Sequence, residues 1–595
     1  MQFSELLLKI ILPLVGGLAL FLYGMNVMSS SLEKMAGGKL EALLKKMTSN
    51  PFVSMLLGTA ITAVIQSSSA TTVMLVGLVN SGILAFSQAI YVCFGAGIGT
   101  TVTAWILSLM GVGESGNLLT AMLKPINFSP IIAIFGIFLL MLTKKDRYRT
   151  IGTVMVAFAV LMFGMNMMSD AVDPLAELPA FTNMLTGLKN PVVALLFSML
   201  FTAIIQSSSA ATGILQALSL TGGFTFEMVI PMVMGINIGT SVTALISSIG
   251  TAVNARRLAV SFMMMKVLCS LICLPAFLIG NAIFAWPFVQ NTVDPASIAI
   301  VHTVFNLVMT VLLMPFTKQL VKLVEFTVRE KKKPNGVKKA IDDTFCMLDD
   351  RLLQSPSVAI AECSNLTVQM SALAYETLLS TISILYHYDA QTAERILKQE
   401  DKLDLMEDRL GTYLVKISSQ ALSTADSHAV SRMLHCIGDF ERLGDHSVNL
   451  LKTAQEMHDK GITFSDEAMK ELAVLTDATV EILTITTNAF RENSPVTAGR
   501  VEPLEQVIDK LIKEIKENHI RRLRRGNCSI EMGFVLSDLL TNYERISDHC
   551  SNIAVTVIEV VNDSFDTHRY LNAIKNGDSD FNRVYDEFEK KYELA

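Results

Sequence analysis

Charge is scarce in the first part of this chain. Residues 1–325 hold 27 of its 103 Asp, Glu, Lys and Arg side chains, and the remaining 270 residues hold 76. A water-soluble domain carries about a quarter of its residues charged, so the sparse part is not one. Its few charges are 16 basic and 11 acidic, net +5, against 32 basic and 44 acidic, net −12, in the rest. An apolar basic half joined to a polar acidic half excludes a simple soluble enzyme. Paired cysteines are also lacking. The eight, at positions 93, 269, 273, 346, 363, 436, 528 and 550, show no CxxC or repeated spacing, which excludes a disulfide framework and a thiolate zinc site. A cleavage site is lacking after the first apolar run, Leu6 to Met28, which follows Glu5; that run reads as a retained membrane span.

What is present repeats. TAVIQSSSA at Thr62–Ala70 returns as TAIIQSSSA at Thr202–Ala210, 140 residues later, and GAGIGTTVTA at Gly95–Ala104 returns as GINIGTSVTA at Gly235–Ala244 at the same offset. Gly24-Met25-Asn26 with Ser29, and Asn50-Pro51, recur in the same register. Constant spacing across separate landmarks means a duplicated unit. Apolar runs near the roughly 17 to 25 residues a bilayer requires occur at 9–28, 88–110, 126–142, 151–168, 228–249, 258–284 and 296–320, and two more surround the QSSS sequences.

Basic clusters favour cytoplasmic loops, and they fall at Lys34/Lys39/Lys45/Lys46, Lys144/Lys145/Arg147/Arg149, Arg256/Arg257 and Lys331–Lys333. All four face the cytoplasm, with Asp170, Asp173 and Glu177 outside, if the runs 52–79 and 192–220 each enter and leave by one face. The first hairpin then starts from the cytoplasm and the second from outside, so the repeats are expected to be inverted.

Inverted repeats with broken helices meeting near the midplane are a secondary-transporter architecture. Gln66, Ser67, Ser68 and Ser69, with Gln206, Ser207, Ser208 and Ser209, can donate and accept hydrogen bonds, so they suit an oxyanion at a helix start together with a cation. Neither hairpin contains a charge. A buried anion without countercharge is costly, so a co-bound cation is expected. Proton coupling usually needs an intramembrane carboxylate or histidine; the candidates are Glu227, near a span's start, and His302, which reads as a packing residue. Sodium is therefore favoured, with Gln66, Gln206, Thr100, Thr101, Asn237, Thr240 and Ser241 as oxygen ligands. The two Gly-rich stretches are expected to open the backbone there. Asn26 and Asn166 are evenly divided between interhelical bonding and a site role.

At these residues the chain resembles the type II sodium/phosphate cotransporter family, whose hallmark is a QSSS sequence in each of two inverted repeats. The resemblance covers residues 5 to 325 and implies sodium-coupled movement of inorganic phosphate, the two QSSS segments lining the substrate and sodium sites. The chain departs from the animal members in having only a short basic stretch, Lys144–Arg149, between the repeats instead of a large cysteine-bearing loop.

After Lys331–Lys339, interrupted by Pro334-Asn335-Gly336, the sequence turns to long amphipathic helices with few Gly or Pro, as in a helical bundle. FERLGDHSVNL at Phe440–Leu450 returns as YERISDHCSNI at Tyr543–Ile553. Each copy sets a Glu and an Asp at i and i+4, Glu441/Asp445 and Glu544/Asp548, and the preceding helices carry Glu400/Asp404 and Glu505/Asp509. Like charges at this spacing destabilise a helix, so the pairs need a cation or a basic neighbour such as Arg442 or Arg545. Carboxylate sets suit hard or borderline metals, and the missing ExxH step argues against a ferritin-like di-iron oxidase. His446 and His549 read as polar surface residues. Arg521–Arg525 reads as a helix cap or headgroup contact rather than a nucleic-acid site. This half resembles a PhoU-like domain over residues 350 to 565, which implies two three-helix repeats, metal clusters (Mg, Mn, Fe or Zn) on the E-x-x-x-D pairs and control of phosphate uptake.

The expected protein is all-α: membrane repeat 1 over 1–145, repeat 2 with closing helices over 146–326, a linker over 327–350, the bundle over 351–565 and a tail over 566–595. It is expected to be a non-enzymatic symporter of the inner (plasma) membrane with a cytoplasmic bundle. Its partners are phosphate, sodium and the bilayer, with a homodimer and a cytosolic signalling protein left open. The rival readings are a phosphate sensor without net transport and a sodium-coupled carrier of sulfate or a dicarboxylate.

Overall fold

The structure is a computed structural model that describes residues 7–45, 50–111, 125–172, 187–329, 348–420, 422–562 and 579–594. The linker cluster Lys331–Lys339, Lys46, Asp173, Glu177 and Cys346 lie outside them. Among the described residues the chain is helical, with one isolated bridge between Thr225 and Thr292. It divides into two compact units, Met1–Ala359 and Ile360–Ala595.

The first unit contains α1 (Leu12–Lys45), α2 (Pro51–Ile65), α3 (Ser68–Asn80), α4 (Phe86–Ser108), α5 (Pro125–Leu142), α6 (Asp146–Val172), α7 (Pro191–Ile205), α8 (Ser208–Ser219), α9 (Phe226–Ser247), α10 (Val253–Phe284), α11 (Pro295–Leu313) and α12 (Thr317–Thr327). Leu12–Met35, Phe86–Ser108, Asp146–Ala171, Phe226–Ser247, Val253–Phe284 and Pro295–Thr327 are long and apolar enough to cross a membrane. The short span expected at 126–142 appears as Asn127–Leu142, among the shorter apolar helices. Pro356–Tyr386 also satisfies length and composition, although the sequence places it at the start of the bundle.

The duplication is visible in how the helices pack. Gly24 on α1 and Gly164 on α6, repeat equivalents, bring these helices into backbone contact: a Cβ on Gly24 would lie 2.6 Å from Leu161 N, and one on Gly164 would lie 2.4 Å from Phe21 N. The Gly-rich stretches do not open the backbone as expected; α4 and α9 run through them as continuous helices. Their glycines admit a neighbouring carbonyl instead. A Cβ on Gly95 would stand 1.9 Å from Met55 O, and one on Gly235 would stand 2.2 Å from Leu195 O. Gly95→Ala and Gly235→Ala are therefore each expected to cost at least the roughly 1–3 kcal/mol of an overpacked core, because the obstructing atom is backbone. A lower unfolding midpoint of the purified chain in detergent checks this.

The first unit extends to the start of the next long helix. Arg351 Nε and Nη2 donate to Ser247 O (2.6 Å) and Ile249 O (3.1 Å) at the end of α9, supplying donors to helix-terminal carbonyls. Asp349 binds Arg351 at 2.8 Å and accepts from Asn80 Nδ2, at the end of α3, at 2.7 Å.

In the second unit are α14 (Ala390–Ser418), α15 (Thr424–Lys460), α16 (Asp466–Glu492), α17 (Val501–Arg524), α18 (Ile530–Asn562) and α19 (Ser579–Lys591), together with most of α13 (Pro356–Tyr386). α15 packs on α14 and α18, and α17 on α16, α18 and α19. Serine caps begin α15 and α16, and Gly461 and Asn493 close them in left-handed conformations, the usual start and stop chemistry. Within Arg521–Arg525, Arg522 is not a headgroup contact. It is 5% exposed and holds Glu471 by a bidentate pair at 2.8 and 2.7 Å; losing one partner of such a buried pair typically costs about 3–5 kcal/mol.

Candidate functional site

Each QSSS sequence is a break between two short helices built the same way. Asn50 and Asn190 cap α2 and α7 by accepting from the second and third backbone N–H groups, with Pro51 and Pro191 at the first helical position, where proline's missing N–H costs nothing. Fifteen residues later the helices stop at Gln66 (φ 60°) and Gln206 (φ 58°), both left-handed. A non-glycine residue rarely adopts that conformation, and such strain clusters at functional sites. Ser67 and Ser207 are extended, and their hydroxyls accept from Ala70 N and Ala210 N at 3.2 Å, starting α3 and α8. The helices before the breaks have 15 residues each and those after them 13 and 12, about 22, 20 and 18 Å long, short of the roughly 30 Å hydrocarbon core. In the first hairpin Thr62 Oγ1 donates to Thr71 Oγ1 across the break at 3.2 Å.

The serines divide by role. Ser67 and Ser207 are caps, whereas the hydroxyls of Ser68, Ser69, Ser208 and Ser209 make no hydrogen bond among the described residues. Ser68 and Ser208 are 5% exposed, and each stands at a helix N-terminus, where N–H groups and the helix dipole favour an anion.

The two glutamines differ. Gln66 is buried; its amide donates to Ala63 O at 2.5 Å, and its carbonyl oxygen accepts from Thr103 Oγ1 at 2.9 Å. Gln206 is exposed. Thr243, the equivalent of Thr103, has a buried hydroxyl with no partner among the described residues. One hairpin is latched to its glycine-rich helix and the other is not, a pairing the sequence reading did not include.

Of the other expected sodium ligands, Thr100 and Thr101 on α4 and Asn237, Thr240 and Ser241 on α9 are all buried. Each donates to a carbonyl three or four residues back, at Ala96, Ile98, Val233, Ile236 and Ile238, which leaves oxygen lone pairs for a cation. Thr62 and Thr202 of the hairpins press against Gly99 and Gly239 of the same helices. The repeats also interlock: α3 packs on α9 and α8 on α4, and Gln216 of α8 donates to Ala104 O (3.0 Å) and Pro295 O (2.9 Å). Asn166 bonds Asp170 at 2.8 Å on an exposed face.

In the second unit, Glu400, Asp404 and Asp445 place one carboxylate oxygen each within 4.8 Å of the others. Glu441 adjoins them, and burial with Asp445, Asp404 and Glu407 pushes its carboxyl up to about 7. Burial raises Glu400 and Asp404 too, with neighbouring aspartates adding to it. The second copy is more neutralised. Asp509 is raised by burial, Asp548 and Glu544, but Glu544 pairs with Lys516 at 3.6 Å and Asp548 with Arg545 at 3.3 Å; Glu505 is half-buried on α17. His446 and His549 are not surface residues. They meet across the two copies with ring centroids 5.5 Å apart, and each binds the other copy: His446 Nδ1 to Asn542 Oδ1 and His549 Nδ1 to Asp439 Oδ1, both at 2.9 Å.

These features define a polytopic helical membrane protein joined to a helical bundle. Residues 20–170 and 160–297 match the Na+/Pi-cotransporter family and residues 367–454 and 472–557 match the PhoU domain. The first half is thus a Na+/Pi-cotransporter family domain and the second half carries PhoU domains. Along 92% of its length the chain is 22% identical to YjbB of Salmonella typhimurium, 97% of which is covered and whose name refers to inorganic phosphate export. A segment of 116 residues, 19% of this chain and 18% of the relative, is 40% identical to sodium-dependent phosphate transport protein 2A of Rattus norvegicus. A PhoU homologue of Thermotoga maritima is 26% identical over 193 residues, 32% of this chain and 82% of its own.

Proposed function

We propose that the chain is a sodium-coupled carrier of inorganic phosphate in the inner (plasma) membrane, working by alternating access around two re-entrant QSSS hairpins of inverted repeats. The observation that carries this reading is the pair of identically broken helices, one latched through Gln66 and Thr103 and the other open at Gln206. Two such elements in opposite settings are what a carrier needs in order to expose one site to either side in turn. Phosphate takes the uncommitted serine hydroxyls and the N-termini of α3 and α8. Sodium takes Gln66, Gln206, Thr100, Thr101, Asn237, Thr240 and Ser241, whose oxygens are hard ligands. Accumulation of radiolabelled phosphate by proteoliposomes of the purified chain under an inward sodium gradient, and not under an equal potassium gradient, is the expected result. No accumulation with intact phosphate binding would favour the sensor. Loading the vesicles with phosphate and reversing the gradient tests the export direction that the name of the Salmonella relative describes.

The bundle is the cytosolic regulatory part of this proposal. Glu400, Asp404, Glu441 and Asp445 fit a divalent or trivalent cation because their mutual repulsion is only partly relieved, by Lys452 and Arg442, and Glu505, Asp509, Glu544 and Asp548 form a weaker second site. Glu441 gives a pH test. Its carboxyl rises from 4.5 to about 7 on folding, so its stabilising contribution is complete below about 4.5 and is lost as pH rises through about 7. With chelator, Glu441→Gln should match the wild type near pH 4.5. At pH 8 it should unfold about 2–4 °C higher, corresponding to about 1 kcal/mol once solvent screening of the part-exposed group is allowed for. Scanning calorimetry of the bundle transition reads this, and manganese should then raise the wild type and not the variant.

A further inference from the structure

The charge missing from both hairpins stands on a helix packed against the first of them. Lys266, near the middle of α10, is 2% exposed, with its ammonium 3.8 Å from the centroid of the Phe262 ring. Among the described residues no carboxylate pairs with it. The titratable groups in its electrostatic reach are Cys93 on α4 and His302 on α11. A lysine inside a membrane bundle is expensive and marks a pathway or a partner, and one aromatic face offsets only part of that cost.

Polar atoms without partners gather on the neighbouring helix. His302 is 1% exposed, and among the described residues neither ring nitrogen has a hydrogen-bond partner. Asn306, one turn on, is fully buried; its amide donates to His302 O at 2.8 Å, and its carbonyl oxygen has no partner among the described residues. That oxygen faces α4, where a Cβ on Gly97 would lie 3.0 Å from it. Buried polar atoms are nearly always bonded; these orphan atoms lie one turn apart on α11, and His302 is within electrostatic reach of the Lys266 ammonium, so together they offer a place for a polar ligand.

The donor inventory specifies its chemistry. Lysine only donates, a neutral imidazole donates once and accepts once, and the asparagine oxygen only accepts. The complement is a ligand with several acceptor oxygens and at least one hydroxyl. A sodium ion is repelled by the ammonium, and a halide offers no donor to Asn306. A partly protonated oxyanion such as hydrogen phosphate has both. α10 packs against α3, which begins at Ser68, and against α4, which carries Thr103.

We propose that Lys266, His302 and Asn306 form a buried basic subsite for hydrogen phosphate on the transport route, supplying the fixed positive charge that neither hairpin contains. This rests on the phosphate-carrier reading above. Sodium-driven uptake of radiolabelled phosphate by the full chain in proteoliposomes tests it, with Lys266→Met as a neutral replacement of similar length and His302→Gln. The loss of a charge-assisted hydrogen bond should raise the phosphate KM about ten- to a hundredfold in Lys266→Met, with a smaller rise in His302→Gln. The sodium concentration for half-maximal uptake should stay unmoved, and Lys266→Arg should recover part of the loss. A merely structural lysine would lower the rate or the yield without that split. Wild-type phosphate KM in well-folded Lys266→Met and His302→Gln overturns the subsite while leaving the carrier reading intact; a wild-type chain that neither binds nor moves phosphate defeats the carrier reading itself. If the variants do not fold, 31P–15N dephasing between inorganic phosphate and lysine Nζ in the labelled wild-type chain, in a phosphate-free detergent, decides: contact supports the subsite and its absence overturns it.

Discussion

Ser68→Ala and Ser208→Ala each raise the phosphate KM about ten- to a hundredfold in a protein that still inserts and folds, whereas Ser67→Ala and Ser207→Ala lower thermal stability first. The difference follows from how each hydroxyl is used. Ser67 and Ser207 accept from Ala70 N and Ala210 N and begin the half-helices. Removing such a cap costs about 0.5–2 kcal/mol of helix stability. Ser68 and Ser208 are more deeply buried than the caps, and their hydroxyls have no partner among the described residues. Their loss is invisible to the fold and is felt only by a charged ligand, for which a hydrogen bond is worth about 1.5–3 kcal/mol. Uptake kinetics and thermal unfolding in detergent, measured on all four variants, separate the two pairs. Uniform loss of stability without a change in KM would mean that all the serines are structural and that phosphate binds elsewhere.

Much of the membrane half was legible because local chemistry fixed it. Asn-Pro starts a helix and a capping serine starts the next, and the repeats carry these signals 140 residues apart. The left-handed glutamine between them has no such signature, since glutamine gives no hint of positive φ. Tertiary choices were not legible either. The Gly-rich stretches suit an opened backbone as well as a close approach, and only the position of Met55 O and Leu195 O decides for packing. Lys266 is one basic residue among 16 in the sparse half; its burial depends on how α10 turns toward α4 and α11. In the bundle the acidic pairs were visible from their spacing, but the relief of the second cluster by Lys516 comes from a residue two turns from Asp509, and the crossed binding of His446 and His549 needs both copies in place. Near-identical segments, TAVIQSSSA and TAIIQSSSA, cannot announce that one glutamine is buried and the other exposed.

That asymmetry yields the other large effect. Thr103→Val removes the donor that holds Gln66 and leaves a buried carbonyl oxygen unpaired, at a cost of about 1–3 kcal/mol, while valine keeps the volume of threonine. Thr243→Val removes a hydroxyl that is buried without a partner and so favours the arrangement seen here. If the two hairpins exchange roles during the cycle, the alternate state holds Gln206 to Thr243 and frees Gln66. Thr103→Val then depopulates the present state by about tenfold for each 1.4 kcal/mol lost, and Thr243→Val depopulates the other by a similar factor. Hydrogen exchange reads this through peptides spanning 62–70 and 202–210. Thr103→Val should speed exchange in the first hairpin and slow it in the second, Thr243→Val should deepen the existing difference, and both should slow phosphate turnover. The double variant, lacking both latches, should restore near-equal exchange in the two hairpins without restoring turnover, because a carrier that cannot hold either state closes neither gate. Identical exchange in wild type and both single variants would show that the Gln66–Thr103 bond is a packing detail and that the states of the carrier are set elsewhere.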